Sequence, residues 1–219
     1  MYKFFIYSML VVLYLGLAKT LSPSELGITY LQNERGFAKL TDKSKVTFIL
    51  IDTHVTGFLI KTYYQKYRVI SDYEEVEDLI VRASKEFTQK NLSNIGLSIY
   101  RRKDGEELFL PMPPGTLYLN DPEFGEWKKN SEGVVEWRFH KSYQNFPKYL
   151  GWGDFRPDEK FYNESQLNQR LGQPYYGPKN EFGPEGTLTK KAFPHFFSEE
   201  RRKKIDLKTL LIDYFKENF

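Results

Sequence analysis

The chain has 219 residues, of which 32 are basic and 29 acidic, giving a net charge of +3, and it has no cysteine and 17% aromatic side chains. Those totals exclude thiol catalysis, thiolate zinc sites, disulfides and a lipidated cysteine, and the interspersed charges leave no electrostatic footprint for nucleic acid. Disordered chains are poor in aromatics, so a folded molecule with many rings to bury is expected.

The chain begins with an export signature. Lys3 supplies a positive charge, Phe4 to Ala18 is almost unbroken apolar sequence, and Gly16-Leu17-Ala18 puts small residues where a signal peptidase reads. Polar residues begin at Lys19, short of the roughly 20 apolar residues that a membrane span needs. Residues 1–18 are therefore expected to be a signal peptide, with an uncleaved anchor as the alternative. No stable transmembrane span is expected once the signal is removed. Export without cysteine points to a periplasmic or secreted protein, bacterial rather than eukaryotic.

Ser22-Pro23-Ser24-Glu25 has the residues of a capping box, with Pro at the first helical position. A short helix carrying Leu26, Tyr30 and Leu31 is expected to follow and to end at Gly36. Val46 to Ile51 is apolar on both faces and rich in β-branched residues, which suits a buried central strand. Phe58 to Tyr64 continues in that style after a loop from Asp52 to Gly57, so an antiparallel pair is expected. From Asp72 to Lys90 the spacing of Val76, Leu79, Ile80, Ala83 and Phe87, with Ser71-Asp72 as cap and acids at the start, predicts a helix.

Asp104-Gly105 is a two-residue hairpin turn. Closing it sets Lys103 opposite Glu106, Arg102 opposite Glu107, Tyr100 opposite Phe109, Ile99 opposite Leu110 and Leu97 opposite Met112. A second hairpin closes at Ser131-Glu132-Gly133, with Trp127 facing Trp137, Lys128 facing Glu136 and Glu126 facing Arg138. That tryptophan pair is either a stacking platform for a partner or an inward anchor of the core.

From Lys141 to Phe197 the apolar periodicity disappears, and six of the 11 prolines and six of the 15 glycines fall here. Asn163 caps one expected short helix carrying Leu167 and Leu171. The remainder reads as an irregular arm studded with rings, which should lie against its own domain or another molecule. A last helix from Asp206 carries Leu207, Leu210, Leu211, Tyr214 and Phe215 on one stripe and is too short to stand alone. The basic run Arg201 to Lys204 reads as a solvated face.

The expected architecture is α+β: a mostly antiparallel sheet with helices packed on one face and a long irregular aromatic-rich C-terminal arm. Its divisions are a signal at 1–18, a core domain at 19–140, the arm at 141–197 and a docking helix at 198–219.

Three histidines are the natural candidates for catalysis. Asp52-Thr53-His54 follows a buried strand but lacks the further ligands of a metal site. His195, in Phe193-Pro194-His195-Phe196, is expected to pack inside. His140 lies ahead of Asp154 and Asp158, and this set is the basis of an alternative reading as a cell-wall or glycan-active hydrolase. No nucleophile elbow, P-loop or dinucleotide fingerprint is present, since Gly151-Trp152-Gly153 lacks the strand–helix setting. No metal and no cofactor are expected.

The leading expectation is an exported, non-enzymatic cell-envelope protein acting through protein–protein binding, as a structural or accessory component of a periplasmic assembly or filament sheath. Its partners would be other envelope proteins or further copies of itself, with peptidoglycan or another glycan as the alternative ligand of a carbohydrate-binding module. The residues expected to carry binding are Trp127, Trp137, Trp152, Tyr149, Phe155, Tyr175 and Tyr176.

Overall fold

The structure, a computed structural model, describes residues 2–21, 28–56, 61–71 and 76–198, and side chains are described outside residues 16–21. Helix α1 (Tyr2–Leu21) is followed by the short strand β1 (Tyr30–Leu31) and a 3-10 helix at Glu34–Lys39. Four strands come next: β2 (Val46–Thr56), β3 (Thr62–Ser71), β4 (Val76–Ala83) and, after helix α2 (Lys85–Asn91), β5 (Ser98–Lys103). β6 (Glu106–Leu108) closes a six-stranded sheet of order β1-β4-β3-β2-β5-β6. All its pairings are antiparallel except β1 with β4. β7 (Gly125–Lys129) and β8 (Val135–Phe139) form a separate hairpin. The α+β architecture is completed by α3 (Phe146–Tyr149), α4 (Glu159–Leu171), α5 (Thr187–Ala192) and α6 (Pro194–Phe197).

β2 is central, as its two apolar faces require, and Val46 to Ile51 are all buried between β3 and β5. It does not stop at Asp52. The expected loop is strand as far as Thr56, and a bulge between Leu50 and Asp52 absorbs the change of register. One face of the sheet carries Phe48, Tyr67 and Tyr100, on which Phe37 from the 3-10 helix packs at ring separations of 5.0–5.4 Å. Phe87 of α2 joins from the same side. The opposite face, with Thr47, Ile49, Arg68 and Arg101, receives the C-terminal half. There Arg68 lies over the Phe193 ring, and the Tyr118 hydroxyl donates to the Ile70 carbonyl. The segment 141–197 thus shares one hydrophobic cluster with the sheet.

The stretch expected as a helix from Asp72 to Lys90 is mostly strand. Residues 72–75 lie outside the described set, β4 occupies Val76–Ala83, and only Lys85–Asn91 is helical, capped by the Ser84 hydroxyl on the Phe87 N–H. The reason is tertiary. Asp78, expected to favour a helix dipole, sits opposite Arg68 and accepts from both Lys66 and Arg68 of β3, while Val81 and Ala83 alternate inward. A cross-strand partner outweighed local helical spacing.

The helix expected to run to Gly36 is also replaced. Ser22 to Gly27 lie outside the described residues, Tyr30–Leu31 is a strand, and Gly36 is inside the 3-10 helix rather than at an end. The strand expected from Phe58 is seen from Thr62 and runs to Ser71, Phe58 to Ile60 being outside the described set.

Both hairpins form. Asp104 and Gly105 have φ of 52° and 87°, as a type I′ turn needs, and Lys103–Glu106 and Arg102–Glu107 pair as expected. Beyond Leu108 the register slips by one, so Met112 pairs with Ser98 rather than Leu97. Backbone pairing ends at Leu108 and resumes only after Pro111, where the constraint on register has gone. Around Gly133 the second hairpin holds the expected register throughout. Its ion pairs nevertheless run along each strand, Lys128 to Glu126 and Arg138 to Glu136, not across.

In the arm, four short α-helices replace the single one expected. α4 begins at Glu159 under an Asp158 cap, five residues before the expected cap-to-helix boundary at Glu164, and it buries Phe161 and Ser165. Leu167 and Leu171 stay 55% and 60% exposed. The helix rotates its rings, not its leucines, into the core. The expected helix from Asp206 and the basic run before it lie outside the described residues. Among the described residues, no helix is long and apolar enough to cross a membrane.

Candidate functional site

The rings of the C-terminal half form a connected network, and six of the seven residues expected to bind lie along it or at its border. β7 and β8 set Trp127 against Trp137 with centroids 5.1 Å apart and planes at 69°. Contacts then pass from Trp137 to Phe139 (6.3 Å), Trp152 (5.4 Å), Phe155 (6.3 Å) and Phe161 (5.5 Å), where Tyr175 (5.6 Å) and Phe182 (6.1 Å) close the network. Most of these pairs are tilted or edge-to-face, the geometry ring quadrupoles favour.

Local structure places each ring. Trp152 follows α3, donates its indole N–H to the Pro114 carbonyl at 2.9 Å, and fills the space beside Gly115. The Asp158 cap starts α4 so that Phe161 turns inward. The Tyr175 hydroxyl donates to Glu164 at 2.7 Å, and burial together with that carboxylate pushes its phenol well above the usual range. Trp137, Trp152 and Tyr175 are buried, whereas Trp127, Tyr149, Phe155 and Tyr176 are half-buried. Tyr176 borders the network by packing beside Gly183.

Trp127 is where the network reaches polar surface. Its indole N–H donates to Asn120 Oδ1 at 3.0 Å, and the Asn120 amide in turn donates to the Tyr162 hydroxyl at 3.3 Å. Tyr162 on α4 lies 6.0 Å from the Trp127 ring. An exposed amide and a phenol beside an indole edge offer hydrogen bonds and ring contact together. Asn120 carries no helical or strand pattern, so the sequence holds no signal for it.

The residues of the hydrolytic alternative are engaged separately. His140 Nε2 is 3.0 Å from the Pro122 carbonyl. Asp158 Oδ1 accepts from the Phe161 N–H at 2.7 Å, and Asp154 is exposed. The carboxylate whose charge meets His140 is Glu126, held below its usual range first by a hydrogen bond from Lys128. His54 is exposed on β2, and His195 is exposed as well, not packed inside as expected, because Phe193 and Phe196 turn to the core in its place. Among the described residues, no three His, Cys, Asp or Glu side chains are grouped to hold a metal.

Sequence reasoning passed over one buried charge. Arg101 is 1% exposed and is held by neutral acceptors: Thr116 Oγ1 at 3.0 Å, the Leu110 carbonyl at 3.0 Å and Gln169 Oε1 at 3.2 Å. Burial pulls the guanidinium down to about 10. Arg101 is on β5, Leu110 and Thr116 lie in the loop after β6 and Gln169 is on α4, so the side chain fastens the C-terminal half to the sheet. Compared with protein-family models, curated proteins and solved structures, the chain matches none.

Proposed function

We propose that this chain is an exported, non-enzymatic cell-envelope protein that works by binding other proteins of a periplasmic or surface assembly. The observation that carries the reading is the contrast between α1 and the rest. The apolar side chains of α1 from Phe4 to Leu15 stand exposed, and none of them joins the cluster that gathers rings from Phe37 to Phe193. An apolar helix that its own domain leaves uncovered suits a leader read by export machinery. Binding is preferred to hydrolysis because His140 and Asp158 are already committed to a carbonyl and a helix cap.

The test is expression of the full chain in a bacterial host, with fractionation and intact-mass measurement. A product lacking residues 1–18, recovered from the periplasm or medium, supports the reading. A full-length cytosolic product overturns it. Carbohydrate binding is the second reading, favoured by the Trp127–Asn120–Tyr162 cluster. It requires saturable glycan binding that Trp127→Ala abolishes.

A further inference from the structure

A second surface, outside the aromatic network, is built by the sheet itself. Ladder partners on adjacent strands project to the same side. Tyr30 of β1 pairs with Arg82 of β4, Arg82 with Tyr64 of β3, and Tyr64 with His54 of β2. These four side chains therefore form one row across four strands, about 14 Å long at the usual strand spacing. Tyr30 is 56% exposed, His54 is exposed, and Arg82 and Tyr64 are half-buried. In the neighbouring row Ile80, 48% exposed, stands opposite Lys66, which pairs with Asp52.

The charges on this face do not cancel. Lys66 and Arg68 share Asp78, at 2.9 and 3.2 Å. Arg82 has no carboxylate partner among the described residues, and its Nε is buried without a hydrogen bond. A guanidinium carries five donors arranged for a carboxylate, and here it stands between two tyrosines. Tyr and Arg are the side chains that dominate protein interfaces. A row of this length accommodates four or five residues of an extended peptide, at about 3.3 Å each.

We propose that this row is a docking surface for an acidic protein segment. A Glu or Asp carboxylate of the partner meets Arg82, and flanking residues lie on the exposed Tyr30 and Ile80. This inference rests on the binding role proposed above and locates it on the sheet, on the same face where Arg68 lies over the Phe193 ring.

The experiment uses the full chain and a fluorescein-labelled peptide of alternating Glu and Ser, read by fluorescence anisotropy. Saturable binding is expected, weakened about tenfold by Arg82→Gln, the effect of losing one charge-assisted contact, and weakened also by Tyr30→Ala. Near-UV circular dichroism checks folding. Tyr30 is exposed, so Tyr30→Ala carries the test if Arg82→Gln does not fold. The proposal is overturned if the acidic peptide does not bind, if both variants bind it as tightly as the parent, or if a Lys–Ser peptide binds equally well. Tighter binding of polygalacturonate at the same row would assign the surface to acidic glycans instead and overturn it too. Failure here leaves the export result untouched, so the two readings fail separately.

Discussion

Arg101 shows what one side chain does in this protein. Three neutral oxygens replace its water, and its Nε has no partner. Hydrogen bonds to a charged group are worth about 1.5–3 kcal/mol each, set against a desolvation cost of several kcal/mol for an ion without a counter-charge. Arg101→Met removes that cost but strands Thr116, which is buried. We expect a net loss of about 2 kcal/mol, read as a lower urea midpoint. Asp78 behaves differently. Burial pushes its carboxyl up, but hydrogen bonds and charge from Lys66 and Arg68 outweigh burial and hold it below the usual value of 3.8. Because the folded value is depressed, its contribution is fully present above the unfolded value. It fades as pH falls past 3.8 and is lost below the folded value. The pair is partly exposed, so the effect stays under about 1 kcal/mol. Asp78→Asn should flatten this acid limb in urea midpoints measured from neutral to acidic pH.

At the scale of elements, the turns and caps decide most. The φ of 87° at Gly105 is open to any side chain sterically beyond the backbone, because nothing lies within 4 Å of a Cβ there. The strain is purely conformational. Gly105→Ala should therefore cost about 1 kcal/mol in thermal or urea unfolding without altering the core. Capping tells a parallel story for α4. Asp158→Ala removes the acceptor for the Phe161 N–H and should cost about 1 kcal/mol. The same variant bears on the hydrolytic alternative: a carboxylate that only caps changes stability alone, and neither parent nor variant should degrade cell-wall material, whereas degradation by the parent that the variant loses would favour the hydrolase. Hairpin chemistry was legible residue by residue, since Asp-Gly, and Gly at the end of a three-residue loop, dictate local backbone geometry. β4 was not legible, because the cations that hold Asp78 lie on another strand.

Across the whole molecule, the C-terminal half packs into one hydrophobic cluster with the sheet. Trp152 is buried against Phe139 and lies beside Gly115, whose φ of 90° lets the backbone pass within reach of the indole. Trp152→Ala should cost about 3–5 kcal/mol. The sheet and the C-terminal half should unfold in one transition, so tryptophan fluorescence and far-ultraviolet circular dichroism should give coincident urea curves. Two separated curves would mean that the halves are independent. Of the candidate binding residues, sequence spacing located the Trp127–Trp137 pair, because a hairpin register brings cross-strand partners together. The links from Trp152 to Phe155 and Tyr175 join elements with no shared periodicity, and only packing brought them into one network.

Local chemistry alone determined the composition of the buried strand from Val46 to Ile51, both hairpin turns, the Trp127–Trp137 register and the apolar character of the first helix, because each depends on neighbours within one hairpin or one element. Tertiary structure decided that Val76–Ala83 is a strand, that α4 turns Phe161 inward and leaves Leu167 outside, that Arg101 is buried, and that Tyr30, Arg82, Tyr64 and His54 share one row. Those outcomes depend on which surfaces meet across long sequence separations, where burial and cross-strand pairing outweigh local propensity.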